Sequence, residues 1–505
     1  MSGINFKIYQ TTNRAPGVFA EVDPSLANTG QVNQRTLLIG QMLPAGTYTA
    51  GVPVIATGLG DVKAGCGAGS QLALMYQQYR AGDSFGEVWL LPLADAGSSV
   101  AAAETITLTG PATAAATLFL YAGYSPAVPT GRVTCLVNVA DAATAIATNL
   151  AAAINAVPDL PVTATVAGAV ITVTARNKGL AGNGIDLRMN YLGALGGETT
   201  PAGVTLTFSN PVANGSLLLG GTTNPTLTTA LTNIAGDQTF DFIVCPYTDS
   251  ASLTAMDLFL NDTVGRWSWV QEIFGGYFTA YRGTLSAQVT FGTSRNGQHG
   301  SAFGLFDTPT PDFLCAADYA AQDAVSLRAD PALPLQTLAL NVAAEPLASR
   351  FNISQRNTLL YSGISTHKVS DAGVVSIDRA ITLYQVNAAG APDNSYLDVE
   401  TMYTLQFVIR DMRIYLQTLF ARVKLVADGT RIGAGSNMAT SQTVVGAAVA
   451  RYRLQAKAGL VQNPDIFAQQ AIGQNAGNGL VKLLLPYQLA NQLRQIAMLV
   501  QFTKP

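Results

Sequence analysis

The chain is short of charge, histidine and cysteine, and each shortage closes off a class of function. Charged residues make up 12% of its 505 positions, against roughly a quarter in ordinary soluble domains. Ala, Thr, Gly and short apolar residues fill the gap, a composition that puts a free monomer at risk of poor solubility. It suits a subunit whose surface is covered by copies of itself. Two histidines and four cysteines starve any zinc site. Cys66, Cys135, Cys245 and Cys315 are widely separated, and Cys245 lies in an apolar run, 240–246, where cysteine packs as a small hydrophobe. No apolar stretch approaches 18 residues, so neither a membrane helix nor direct membrane insertion is expected. Residues 1–10 lack the apolar segment of a signal peptide, which implies assembly in the cytoplasm. No Walker-type Gly-x-x-x-x-Gly-Lys-Ser/Thr occurs, and the glycines at 65–69 have no accompanying lysine. Cofactors, metals and catalytic residues are all expected to be absent.

What is present begins with a polar arm in which Ile4, Phe6 and Ile8 alternate with Asn5, Lys7 and Tyr9. That is strand periodicity at a chain terminus, where a strand is poorly held unless something pairs with it. The arm is therefore a candidate for joining another subunit's sheet. Beyond it, residues 36–39 and 87–93 read as buried strands around a helix at 70–80. Residues 98–221 change character, becoming Thr-, Ala-, Val- and Gly-rich and nearly uncharged. Short β-branched strands are expected at 105–109, 117–121, 132–137, 162–166 and 170–175. Ala143, Ile146, Leu150, Ile154 and Val157 form one helical stripe behind Asp141, the expected N-cap. A βα rhythm resumes after Gly220-Gly221, with helices near 227–235, 254–264 and 285–292 and strands near 240–246, 276–281 and 301–305. Alternation of this kind argues for a sheet covered on both faces.

A hairpin is expected around Asp371-Ala372-Gly373, and a long helix over 399–420. In that helix Met402, Leu405, Ile409, Met412, Leu416 and Leu419 trace one apolar stripe. Gln406, Arg410, Arg413 and Gln417 lie off the stripe, on what reads as a single exposed face. From Arg410 to Lys457 there are eight Lys or Arg against two acids, Asp411 and Asp428, a local +6 that leaves −9 elsewhere. Such asymmetry points to a binding face of defined sign. No nucleic-acid module accompanies it, so nucleic acid is not expected as a partner. Residues 480–485 and 496–502 are strand-like; in the second, Ile496, Met498, Val500 and Phe502 alternate, which puts strand-forming material at both ends.

Several blocks in order carry a family likeness: Arg14-Ala15-Pro16-Gly17-Val18-Phe19, Arg356-Asn357-Thr358-Leu359-Leu360-Tyr361, Tyr384-Gln385-Val386-Asn387, Gly390 through Val399, Asp428-Gly429-Thr430-Arg431 and Leu484-Leu485-Pro486. Together they resemble Mu-like contractile tail sheath proteins over nearly the whole length. The resemblance implies a subtilisin-like α/β core (23–97 with 222–365), an inserted β-sandwich domain (98–221) and an α+β C-terminal domain (366–505). It further implies terminal arms (1–22 at the N-terminus) that exchange strands between subunits. It also implies hexameric rings stacked around a tail tube, contact with baseplate and tail terminator proteins, and residence in the virion tail. Ile4–Tyr9 and 496–502 are then the exchanged strands, joining a neighbour near 368–385 or 480–485. Gln406, Arg410, Arg413 and Gln417 are the expected tube-facing residues. A hydrolase is the alternative, with Ser294 and His299 in Gly292-Thr293-Ser294 and Gly297-Gln298-His299-Gly300. A triad needs a base within reach of the serine and a carboxylate to orient it. The order here, with histidine five residues after serine and no histidine upstream, does not match the subtilisin pattern.

Overall fold

The computed structural model describes residues 34–236, 238–433 and 436–504. Strands β1 (Thr36–Gln41), β2 (Val54–Ile55) and β3 (Val88–Leu93) open the fold, with helices α1 (Leu59–Cys66) and α2 (Gln71–Gly82) before β3. Ser70 caps α2 by accepting the Ala73 N–H. Nine strands follow: β4 (Ala103–Thr109), β5 (Ala116–Ala122), β6 (Arg132–Val137), β7 (Val162–Ala167), β8 (Val170–Ala175), β9 (Asp186–Met189), β10 (Thr205–Phe208), β11 (Pro211–Val212) and β12 (Gly215–Leu217). They form a four-stranded sheet, β10-β4-β8-β7, and a five-stranded sheet, β11-β12-β9-β5-β6. Helix α3 (Ala143–Asn155) buries Ile146, Leu150 and Ile154 in the same apolar cluster as both sheets. Asp141 is not its cap. That position is Ala142, and the Asp141 carboxylate instead accepts the Asn138 N–H at 2.8 Å, closing the turn before the helix.

The chain then returns to the first sheet through α4 (Leu227–Thr232), β13 (Phe242–Val244), α5 (Ser250–Leu260), β14 (Gly276–Arg282), α6 (Leu285–Thr293) and β15 (Gly300–Leu305). Helix α7 (Asp312–Ala329), β16 (Ala339–Leu340), α8 (Ile353–Tyr361), β17 (Ile364–Val369) and β18 (Val375–Arg379) complete it. The nine-stranded order is β16-β18-β17-β15-β14-β13-β1-β3-β2, parallel from β17 through to β3. Both faces are covered, which is why β1 and β15 are buried at every position and read as continuous apolar runs. Leu38, Phe242, Phe278 and Phe303 point into one cluster, and Leu37, Ile39, Ile243 and Ala302 into another.

Three features depart from the sequence reading. Helix α7 was not anticipated, because it is buried nearly all round and carries no amphipathic stripe. The expected boundary at 365/366 falls inside β17, which pairs in parallel with β15 and so belongs to the large sheet. Residues 496–502 form no strand and are exposed.

The remaining elements are α9 (Val399–Phe420), β19 (Lys424–Leu425), β20 (Met438–Ala439), α10 (Ser441–Lys457), α11 (Pro464–Gln470), β21 (Ile472–Asn475) and β22 (Val481–Leu484). The first turns of α9 enter the large core through Val399, Met402 and Tyr403. Val408 and Met412 join a separate cluster with Ala448, Tyr452, Leu460, Val461 and Phe467. The expected stripe is only partly the buried one: Leu405, Ile409 and Leu416 are half-buried, and Leu419 is exposed. Among the described residues, no helix is long and apolar enough to cross a membrane.

Candidate functional site

The polar face of α9 is docked, not free. Gln406 is 1% exposed. Its amide donates to the Asp241 carboxylate, and its Oε1 accepts the Gly275 N–H at 3.2 Å. Arg410 donates to the same Asp241 carboxylate and to the Ile273 carbonyl, the latter at 2.5 Å. Its guanidinium also lies 5.6 Å from the Phe274 ring centre. Gly275 has φ +116°, and a Cβ there would sit 2.4 Å from the Phe240 carbonyl oxygen, so only glycine presents its N–H to α9 in this way. Burial raises the Asp241 carboxyl above its ordinary range, against the pull of Arg410. The expectation of an exposed row is thus corrected for Gln406 and Arg410: the i, i+4 spacing was right, but residues 272–275 and Asp241 cover the face. Arg413, paired with Glu272 at 2.8 Å, is 39% exposed, and Gln417 is exposed.

The rest of the basic segment is also partly neutralised. Arg451 pairs with Asp411, and Arg453 lies 3.7 Å from Asp465. Arg422, Lys424, Arg431 and Lys457 remain exposed.

Ile4, Phe6 and Ile8 lie outside the described residues. At the other end Ile496, Met498, Val500 and Phe502 are 74–87% exposed. Nearby in sequence, β21 and β22 form an isolated antiparallel pair, Ile472 opposite Leu484 and Asn475 opposite Val481. Gly477, Asn478 and Gly479 reverse the chain with positive φ. Gly473 lets the hairpin sit on α10, since a Cβ there would meet Val445 at 2.6 Å. Neither outer edge of this hairpin has a strand partner among the described residues. The hairpin β17–β18 differs: β17 is flanked by β15 and β18, and the start of β18 by β16. Within the expected acceptor 368–385, the strand residues up to Arg379 thus already pair inside the subunit.

Ser294 and His299 are not brought together. The Ser294 hydroxyl donates to the Phe291 carbonyl at 2.7 Å, at the C-terminal end of α6. His299 Nε2 pairs with Asp262 Oδ1 at 2.8 Å, and its ring stacks on Trp267 at 4.3 Å. With the hydroxyl tied to a helix carbonyl and the imidazole tied elsewhere, neither has the partner a nucleophile needs. The four cysteines are free and buried, and burial pushes the thiols of Cys66 and Cys245 up to about 12. Among the described residues, no group of His, Cys, Asp or Glu is arranged to hold a metal.

Arg494 escaped the sequence reading. It donates to Asp398 at 3.1 Å and to Glu400 at 2.7 Å. The available signal was its isolation, as the one charged residue between Lys482 and Lys504.

Residues 220–383 match the family described as phage tail sheath protein central domain. The tail sheath protein of the Mu-like prophage FluMu of Haemophilus influenzae is 36% identical over 506 residues, covering 99% of each chain. Among solved structures, a sheath tail protein from Desulfitobacterium hafniense aligns with 12% identity over 95% of this chain and 97% of its own (TM-score 0.46). The contracted helical sheath of the anti-feeding prophage aligns with 13% identity over 98% and 100% (TM-score 0.43). With identity sustained from end to end of the Haemophilus relative, this chain belongs to the phage tail sheath proteins, structural components of the virion tail and not enzymes.

Proposed function

We propose that the chain is the subunit of a contractile sheath, stacked as hexameric rings around a tail tube and joined to neighbours by exchanged strands. The observation that carries this reading is an exposed apolar C-terminal run preceded in sequence by a hairpin whose two outer edges have no strand partner among the described residues. A lone two-stranded hairpin is marginal in water, and its open edges are templates for further strands. The alternating apolar residues at 496–502 of one neighbour and at 4–8 of another are suited to fill them. Main-chain hydrogen bonds made in this way hold subunits together while their bodies rotate between two packings. The work of contraction is then stored at assembly, and contraction drives the tube through the host envelope without nucleotide hydrolysis. Assembly takes place in the host cytoplasm, with baseplate and terminator proteins closing the two ends. On the tube side, Arg413 and Gln417 remain as contacts, since Gln406 and Arg410 are spent inside the subunit.

Two deletions test the exchange, of residues 1–12 and of residues 496–505, each expressed alone and imaged by negative-stain electron microscopy. Each variant is expected to stay folded and to form no tubes. Striated tubes of ordinary length from either deletion would refute the role of that arm.

A further inference from the structure

The C-terminal run is fastened at one point before it leaves the subunit. Residues 490–504 contain no helix or strand, and Ile496, Met498, Leu499, Val500 and Phe502 are all exposed. Arg494 is seated between them and the body, with its side chain 14% exposed. Its Nη2 donates to Asp398 Oδ1 at 3.1 Å, at the N-cap of α9, and to Glu400 Oε1 at 2.7 Å, in the first turn. Both acceptors are held from behind. Asp398 also receives Arg379 of β18, through Nε at 3.0 Å and Nη2 at 3.2 Å. Glu400 is fully buried, and the same Oε1 accepts the Leu335 backbone N–H.

We propose that Arg494 is the positioning residue of the C-terminal arm: its seat fixes where the arm leaves the subunit and therefore which acceptor edges it reaches. This rests on the strand-exchange reading above. A charge-assisted contact to two carboxylates is directional as well as strong. Withdrawing the cation would leave Glu400 buried without its counter-charge, so the seat stays occupied while the arm beyond it moves. Eleven residues, 495–505, follow the seat, and an extended chain of that length spans at most about 36–40 Å. A root tied to β18 and α9 makes that reach a fixed radius from the rigid body. An arm without the root would have to search for its exit and could fold its apolar run back onto its own subunit.

Sedimentation of the full-length protein gives the critical concentration for polymer formation, and the melting temperature of the unassembled subunit is read in parallel. Replacing Ile496, Met498 and Val500 with Asp is expected to abolish polymers and leave melting unchanged. Arg494→Ala, assayed at the same interval below its own melting temperature as the parent protein, is expected to raise the critical concentration about tenfold, the penalty of an arm no longer preorganised. If Arg494→Ala does not fold, Arg494→Gln, which keeps a side-chain N–H donor but loses the cation, is read in the same way. Normal polymers from the triple Asp variant would refute strand exchange, and the positioning role with it. Loss of polymers in that variant alongside parental polymerisation by the Arg494 variant would overturn the positioning role alone. So would a critical concentration that returns to the parental value once the melting intervals are matched, since Arg494 would then serve only stability.

Discussion

The two regions attached to the nine-stranded sheet are fastened in opposite ways. The β-rich segment from β4 to β12 shares one continuous apolar cluster with the sheet, from Ile106 and Leu118 through to Phe242 and Phe278. It is also pinned by a buried charge network. Arg188 of β9 pairs with Asp186 at 2.8 Å and with Asp307 at 2.9 Å, and Arg282 of β14 reaches Asp186 at 3.0 Å. The region beyond residue 407 instead keeps a small cluster of its own, built around Tyr452 stacked on Phe467 at 3.7 Å. It meets the sheet mainly through α9 and its ion pairs. A large shared core resists relative motion, while a small separate core joined by one helix can be reoriented at lower cost. On the contractile reading proposed above, the first region corresponds to a body that moves as a unit and the second to one that adapts between two packings.

The sharpest way to break this comparison is at the first junction. Arg188→Ala leaves Asp186 and Asp307 buried, with Asp307 losing its ion-pair partner and Asp186 keeping only Arg282. Removal of one partner from a buried ion network destabilises by about 3–5 kcal/mol. Chemical denaturation of the unassembled subunit should register that loss; a change below about 1 kcal/mol would mean that the apolar cluster alone holds the segment.

The second junction separates its two arginines. Arg410→Ala removes the cation beside a fully buried Asp241, but Gln406 still donates to that carboxylate. The expected loss is about 2–3 kcal/mol, with faster hydrogen exchange along the middle of α9. Arg413→Ala breaks a pair in which both side chains are about 40% exposed, and such pairs contribute roughly 0–1 kcal/mol. If its role is the tube, Arg413→Ala should weaken loading onto tubes at nearly parental stability. Equal destabilisation by both substitutions would erase the distinction between a docked and a free end of this face.

How far the sequence made these regions legible depended on where each side chain's partner lies. The strands β1, β3, β14 and β15 were readable because burial on both faces leaves a continuous apolar run, which is visible locally. The strands and the helix of the β-rich segment were readable from alternation and from the Ile146, Leu150, Ile154 spacing. Helix α7 was not, since Ala316, Ala317, Ala320, Ala321 and Ala324 sit beside buried Asp318 and Asp323 with no polar face to give the period away. Gln406 and Arg410 were placed on the correct common face and wrongly exposed. Their partner Asp241 lies more than 160 residues upstream, and nothing in helical spacing encodes a distant cover. The seat of Arg494 on Asp398 and Glu400, more than 90 residues away, was hidden for the same reason.

Dependence on pH separates the two regions further, because α7 lies against the large sheet and buries Asp318 and Asp323 completely. Asp318 is fully buried, and burial pushes its carboxyl up to about 7, although Asn341 donates to it through both its backbone N–H and its side chain. In the unfolded chain the same carboxyl titrates near 4. Between those values the folded state keeps a proton that the unfolded state releases. Stability from this group is therefore complete below about pH 4, declines as pH rises, and is lost above about 7. One such group contributes a slope of at most about 1.4 kcal/mol per pH unit. Asp318→Asn keeps the size and one acceptor for Asn341 while removing the titration. The difference in unfolding free energy between variant and parent, measured from pH 4 to 7.5, should grow steadily in the variant's favour. A difference independent of pH would show that Asp318 is ionised in the folded subunit throughout, with the Asn341 donors outweighing its burial.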